Sequence, residues 1–444
     1  MAERRISLCL IARNEEGMLP GCLASVSGAV DEIVLVDTGS TDRTREIARE
    51  AGALVLERPW DDDFAAPRNL AVERASGGFI LQLDADERLA PGAARAIRAG
   101  AGADGFDVGF LRLHNASRVD APVDRVLSGQ LRWGEPALLP RLLRHTPDLR
   151  YEGVIHESVT DWAVARGSRF GRIDGDIVHL GYVESVHAGR GKKARNLAML
   201  WRRVEQEPSS VVPLAYLAAE LVGAREWEAA AEVAERGFAL LPSQPAHRPV
   251  RRLLVSRAVA AMHRNELAKV HESVNQAEAR EGPNPDYDHL RGCAWESEAR
   301  ALPPAHPRRR QLLGQAVEAY RRSLEAVRRG GFVQVMVAGE AEALTRLGNA
   351  LLLRGEFAEA GAALAEARRG GGGEGLRLAE AEARMGAKDP AGALALLEPL
   401  LEQGQDPAAW AAAARAALAL GSQRDAAVFL ARARMLKIRS SAEG

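Results

Sequence analysis

Apolar and polar positions give the chain two textures, which change over near residue 188. In the first part, short apolar runs alternate with stretches of helical spacing. Ile6 to Ala12, Asp31 to Asp37, Ala53 to Leu56 and Phe79 to Leu83 read as strands. Their near-continuous apolar character is that of strands covered on both faces, as in a parallel sheet between helices. Met18 to Val26, Thr44 to Ala51, Ala66 to Ala75 and Leu89 to Ala101 read as helices, with Gly52 placed to cap the second. Strands alternating with helices predict a right-handed, doubly wound α/β domain with a mainly parallel sheet. Phe106 to Leu113 alternates as a further strand, and Asn115 to Glu135 shows no period and reads as a loop.

The strands end abruptly in polar clusters. Arg13-Asn14-Glu15-Glu16 follows the first, Asp37 closes the second, and Asp84-Ala85-Asp86-Glu87 follows the run from Phe79. In an open α/β sheet, ligand crevices form at the carboxyl ends of the strands. Asp84 and Asp86 are two apart, so an unbroken strand would put both on one face. Two carboxylates there are hard oxygen ligands for Mg²⁺ or Mn²⁺. Such ions take one or two carboxylates and complete their shell with water and phosphate oxygens. After Asp37, Gly39 permits a tight turn, and Ser40, Thr41 and Asp42 are good helix N-caps.

From about Gly189 the chain becomes rich in alanine and leucine, with long helical stretches. Gly355-x-Phe357-x-x-Ala360 and Gly421-x-x-x-x-Ala426 share a helix-turn-helix frame, with alanines again at Ala367 and Ala433. Arg225-x-Trp227-x-x-Ala230 is the same frame with its glycine replaced, and Ala316 with Tyr320 fits more loosely. Ala360, Ala393 and Ala426 are each 33 apart, close to the tetratricopeptide period. An all-α solenoid is expected, offering a concave face to an extended partner or to a second copy of the chain. Gly370 to Gly373 reads as a loop between repeats.

Composition narrows the function classes. The 444 residues suit two or three domains, and 47% hydrophobic with 27% charged residues is a globular balance. A formal net charge of −1 gives no footprint for nucleic acid or an acidic membrane. Three cysteines, Cys9, Cys22 and Cys293, form no disulfide framework and fit a reducing compartment. The apolar run after Met1-Ala2-Glu3-Arg4-Arg5 is too short for a signal peptide, and no run is long enough to span a bilayer. A cytoplasmic protein without a transmembrane segment is expected.

Four segments carry a resemblance: Ile11-Ala12-Arg13-Asn14-Glu15-Glu16, Val36-Asp37-Thr38-Gly39-Ser40-Thr41-Asp42, Trp60-Asp61-Asp62-Asp63-Phe64 with Arg68-Asn69, and Leu83-Asp84-Ala85-Asp86-Glu87. In this order and spacing they resemble the inverting family 2 glycosyltransferases of the GT-A fold. The branch they are most similar to carries tetratricopeptide repeats and includes the sunset-type peptide S-glycosyltransferases. Tyr151-Glu152-Gly153-Val154-Ile155-His156-Glu157 resembles its Gly-x-x-His-Glu signature, and Asp176 to Tyr182 its later His-x-Gly-Tyr segment.

The resemblance implies a GT-A domain over residues 1–188 and a tetratricopeptide-like array over 189–444. It implies a nucleotide-sugar site formed by Ala12, Asn14, Glu15, Asp37, Ser40, Asp63, Arg68, Asp84 and Ala85. Asp37 and Glu15 would meet the nucleoside, and Asp63 and Arg68 would close over base and diphosphate. Asp86 would bind the Mg²⁺ or Mn²⁺ most directly, with Asp84 on metal-bound water or ribose. Glu157 is the candidate general base, and His156 or His179 would complete the metal shell or donate to the diphosphate. The expected reaction moves a hexose from a nucleotide sugar, uridine diphosphate-linked by the resemblance, to a peptide side chain or a glycan. A homo-oligomer through the repeats is compatible with the pattern. Two rivals stand beside this reading. One is a non-catalytic scaffold keeping a sugar-nucleotide fold. The other is a nucleotidyltransferase, which would open with a glycine-rich arginine loop that Ile11 to Glu15 lacks.

Overall fold

In the computed structural model, which describes residues 5–103, 105–181, 192–244, 250–329, 337, 339–372, 374–404 and 406–442, the first apolar runs form one edge of an eight-stranded sheet. The start Met1 to Arg4, Tyr182, Gly189 and Gly373 lie outside the described residues. Strands β1 (Ile6–Ala12), β2 (Glu32–Asp37), β3 (Leu54–Glu57) and β4 (Phe79–Gln82) are mutually parallel. Register sets Ala12 opposite Asp37 and Asp37 opposite Glu57, so their carboxyl ends lie level.

The rest of the sheet is mixed. Its order is β3-β2-β1-β4-β7-β6-β8-β5. β7 (Arg132–Arg144) runs antiparallel to both β4 and β6 (Val108–Ala116). β8 (Phe170–His179) is parallel to β6, and β5 (Glu87–Leu89) is antiparallel to β8. Two local expectations change here. The segment from Leu89 was expected to be helical at once, but Glu87 to Leu89 is a strand, and the helix begins only after Pro91 and Gly92, the latter at φ 91°. The expected loop from Asn115 to Glu135 contains a helical turn at Val123–Leu127, and β7 already begins at Arg132.

Alternation along β1 feeds two cores. Ile6, Leu8 and Leu10 join Leu19 and Cys22 of α1 (Leu19–Ser25) and Ile97 of α4 (Ala93–Gly102) on one side. Cys9 joins Ala71 and Val72 of α3 (Ala65–Arg74) on the other. The short helix Thr44–Glu50 is α2 and Val123–Leu127 is α5. Helix α6 (Thr160–Ala165) adds Ala163 to the α3 side. All three cysteines are free and buried. No helix among the described residues is long and apolar enough to cross a membrane.

The chain divides into two compact units between Leu217 and Ala218, inside α8 (Val211–Gly223). Helix α7 (Lys192–Gln206) therefore belongs to the unit that contains the sheet, beyond the boundary of 188 expected from texture.

The second unit is all-helical. Helices begin at Trp227, Leu267, Phe357, Pro390 and Gln423, and the last three starts are 33 residues apart. Each follows the same turn. A residue in left-handed conformation stands two before each start: Arg225 (φ 62°), Asn265 (φ 57°), Gly355 (φ 82°), Lys388 (φ 65°) and Gly421 (φ 83°). The next N–H closes back on a carbonyl five residues earlier, as in Glu226 to Leu221 (2.9 Å), Asp389 to Arg384 (2.9 Å) and Ser422 to Ala417 (2.9 Å). These are Schellman-type helix ends that satisfy orphan carbonyls. Three residues into each following helix, Ala230, Val270, Ala360, Ala393 and Ala426 are buried, where a small side chain lets helices approach closely.

Candidate active site

The loop after β1 is stitched to the loop after β2. The Thr38 N–H donates to the Ala12 carbonyl (2.9 Å), and the Asn14 N–H donates to Ser40 Oγ (2.9 Å). The Thr41 N–H donates to Asn14 Oδ1 (2.8 Å), and the Glu15 N–H to Thr44 Oγ1 (2.7 Å). Asn14 holds φ 57°, a left-handed conformation that asparagine tolerates better than most side chains.

Asp37 lies beneath this stitching, 1% exposed. Its Oδ1 accepts from the N–H groups of Gly39 (3.2 Å) and Ser40 (3.0 Å). Its Oδ2 is buried without a hydrogen-bond partner. A buried carboxylate oxygen with no donor is costly, and a ligand N–H or hydroxyl would satisfy it.

The run Phe79 to Gln82 ends before the acidic cluster, so Asp84 and Asp86 do not extend one strand. The Glu87 N–H donates to the Asp84 carbonyl (3.0 Å), which closes a turn. The two carboxylates then go different ways. Asp84 Oδ1 accepts from Arg68 Nη2 (2.8 Å). Asp86 Oδ2 lies 3.4 Å from His179 Nε2. Burial opposes ionisation of Asp84, but Arg68 and Arg141 beside it hold its carboxyl well below the usual range.

Behind Asp84 lies a buried charge network. Arg68 also donates through Nε to Glu157 Oε1 (2.5 Å), so one guanidinium joins the candidate base to the turn. Arg141 donates to Glu87 Oε1 (2.5 Å), with both side chains buried. Burial pushes the Glu87 carboxyl up, against the pull of Arg141. With its amide oxygen toward the cations, Gln82 accepts from Arg68 Nη1 (2.7 Å) and Arg141 Nη1 (3.2 Å), while its nitrogen donates to the Tyr151 hydroxyl. Arg68 comes from α3, whose first turn is capped by Asp63: the Ala66 N–H donates to its Oδ1 (3.0 Å).

His179 and His156 take different places. His179 Nδ1 pairs with Asn115 Oδ1 (2.8 Å); an amide oxygen only accepts, so Nδ1 carries the proton and Nε2 turns to Asp86. Burial lowers the His179 pKa, but Asp86, with Glu87 and Asp84 beyond it, raises it overall. Gly181 crowds the same point: a Cβ there would lie 1.8 Å from Asp86 Oδ2. His156, at φ 52°, stacks its ring on Tyr216, with centroids 4.0 Å apart and planes 8° off parallel. Its loop is braced by Arg203 of α7, which donates to the Ile155 (2.5 Å) and His156 (3.3 Å) carbonyls.

Among the described residues no three His, Cys, Asp or Glu side chains converge as a ready metal cage. The Asp86–His179 pair nevertheless suits a divalent cation. It offers one hard carboxylate and one imidazole whose tautomer is set by an outer amide, and it leaves the other positions to water and phosphate oxygens.

The structure thus brings Arg68, Asp84 and Glu157 together, pairs Asp86 with His179, and stitches Asn14 and Glu15 to the loop holding Asp37 and Ser40. Ala12 and Ala85 are both buried. Sequence reasoning missed Gln82, Glu87, Arg141 and Tyr151 in the network, and Asn115, Gly181 and Arg203 as supports. Gln82 carried a signal, being the lone polar residue inside the run Phe79-Ile80-Leu81-Gln82-Leu83.

Comparison with known proteins fits this geometry. Residues 7–142 match Glycosyl transferase family 2. A TPR repeat-containing protein of Synechococcus elongatus is 40% identical over 172 residues, 37% of this chain and 38% of that protein. An uncharacterized glycosyltransferase of Rickettsia typhi is 35% identical over 86 residues, 19% of this chain and 29% of that one. The SPbeta prophage-derived glycosyltransferase SunS of Bacillus subtilis is 23% identical over 218 residues, 49% of each chain. The chain therefore spans less than half the length of each of these relatives. The sheet-bearing unit is thus similar, through residues 7–142, to glycosyl transferase family 2, and it is followed on this chain by a helical-repeat array of the tetratricopeptide kind.

Proposed function

We propose that this chain is a metal-dependent, inverting hexosyltransferase that draws on a uridine diphosphate-linked sugar and delivers to a peptide side chain or a glycan. The observation that carries the reading is the pairing of Asp86 with His179 (3.4 Å) beside a turn whose Asp84 is held by Arg68. Asp37 Oδ2 lacks a donor and is the natural acceptor for a nucleobase N–H; Asn14, Glu15 and Ser40 belong to the loops stitched around it, and Asp63 is assigned to the nucleotide by the resemblance alone. Asp86 and His179 would hold Mg²⁺ or Mn²⁺, which when bound neutralises charge on the departing diphosphate.

Glu157 takes the acceptor proton as the nucleophile attacks the anomeric carbon and the bond from that carbon to the diphosphate breaks. Arg68 links this base to donor binding. Its Nε donates to Glu157 Oε1 (2.5 Å) while its Nη2 holds Asp84, so one guanidinium positions the base relative to the turn. The repeat array supplies a surface for the acceptor, for a second copy, or for both.

The test incubates the protein with a panel of sugar nucleotides and acceptor peptides, with and without Mn²⁺, and follows nucleotide release and acceptor mass. Metal-dependent transfer is expected. Tight nucleotide binding with neither transfer nor hydrolysis would favour the non-catalytic scaffold instead.

A further inference from the structure

The strand register gathers one row of residues around His179. Asn115 of β6 pairs with His179 of β8 on one side and with Trp133 of β7 on the other. His179 in turn pairs with Glu87 of β5. Directly paired residues on adjacent strands rise from the same face of a sheet. The hydrogen bond between Asn115 and His179 confirms a shared face for that pair. The neighbouring row supports the alternation. Arg132, next to Trp133, lies 3.4 Å from His114, next to Asn115, and His114 meets Asp176 at 2.8 Å. Trp133 therefore stands on the Asn115 and His179 face, two strand spacings from His179, or about 10 Å between main chains.

Trp133 is also the most exposed tryptophan among the described residues, at 57%. A large apolar ring left in water beside a polar site is informative, because a tryptophan that only filled a core would be covered. Asn115 stands between them on the intervening strand, with its side chain drawn to His179. The indole face is apolar and flat, as is the C–H face of a pyranose, whose hydroxyls remain at the rim.

We propose that Trp133 is the platform on which the donor's hexosyl ring stacks. It selects for the presence of the sugar, while the stitched loops hold the nucleoside. This rests on the reading of the donor as a uridine diphosphate-linked hexose, and the experiment separates the two. Titration calorimetry with Mn²⁺ compares UDP, UDP-glucose and UDP-galactose on the parent, Trp133→Ala and Trp133→Phe. The expected result is unchanged UDP affinity in both variants, about five- to tenfold weaker UDP-hexose binding in Trp133→Ala, and most of that loss restored in Trp133→Phe. Equal UDP-hexose affinity in the parent and Trp133→Ala overturns the platform, as does a loss that falls equally on UDP. A change confined to the acceptor KM overturns it too, by moving the indole to the acceptor side. A parent that binds UDP but neither hexose leaves no sugar contact and ends the proposal. A parent that binds none of the three overturns the proposed function itself.

Discussion

Arg203 Nη1 donates to the carbonyl oxygen of Ile155 at 2.5 Å, which makes a helix outside the matched family segment a brace for the loop bearing His156 and Glu157. Gly153 belongs to the same arrangement: at φ 93°, a Cβ there would lie 2.2 Å from Arg203 Cζ. Replacing Arg203 with methionine keeps much of the side-chain bulk and leaves buried carbonyls unsatisfied. The expected cost is about 2–3 kcal/mol of stability, with transfer falling more than nucleotide affinity. Thermal denaturation and kinetics on the full chain check this; unchanged activity would remove the brace from the mechanism. By the same logic, a chain ended at residue 188 loses Arg203 and Tyr216, whereas one ended after Gly223 keeps both. Only the longer fragment is expected to retain metal-dependent nucleotide binding.

The Asp86–His179 pair is tested by crowding it. In Gly181→Ala the new methyl group would overlap Asp86 Oδ2, at 1.8 Å, and approach His179 Nε2, at 3.1 Å. Asp86→Ala removes the carboxylate itself. Both variants are expected to bind UDP equally well with and without Mn²⁺, and to lose transfer. Calorimetry that still shows a metal-dependent gain in either variant would place the cation elsewhere.

The orphaned oxygen of Asp37 makes a sharper test than truncation. Asp37→Asn keeps an acceptor for the Gly39 and Ser40 N–H groups but presents an amide nitrogen where Oδ2 stood. Loss of a hydrogen bond to a charged acceptor weakens nucleoside binding by about 1.5–3 kcal/mol, roughly tenfold to a hundredfold. Competition by uridine against a labelled nucleotide measures it. Equal competition in variant and parent would move the base away from Asp37.

Turn geometry in the repeats gives a stability test with two opposite signs. Lys388 and Asn265 hold left-handed backbone angles that cost an L-residue about 1–2 kcal/mol, less for asparagine. Lys388→Gly is expected to stabilise the repeat unit by about 0.5–1 kcal/mol, and Gly421→Ala to destabilise it by a similar amount. Denaturant unfolding of the two variants, read by helical circular dichroism, decides the matter; shifts of the same sign would contradict the turn assignment.

What could be read from the sequence follows from how local each signal is. The parallel strands were legible because Ile6 to Leu10 and Val34 to Asp37 are buried on both faces and are apolar almost throughout. Strand β5 was not, because it is three residues long and opens on Glu87, whose burial depends on Arg141, 54 residues away. The acidic pair stood out in the sequence as a strand-end cluster but not as a turn, because the hydrogen bond from Glu87 to Asp84 that closes it leaves no mark on composition. Arg203 resembles any arginine on a solvated helix face, and nothing nearby in sequence announces Ile155. The repeat frame was plainest where glycine fills the left-handed position, at Gly355 and Gly421, looser where Arg225 or Lys388 replaces it, and unread at Asn265.

The recurring turn has a consequence for how the array comes apart. In a stack whose units contact chiefly their neighbours, opening proceeds from an end, and each step releases one helix pair together with one face of the next. Amide exchange across the second unit should therefore show a gradient in place of a single protection value. A lesion at Gly421 should fray only the helices from Pro407 onward. The same lesion at Gly355 should split the array into segments that melt apart.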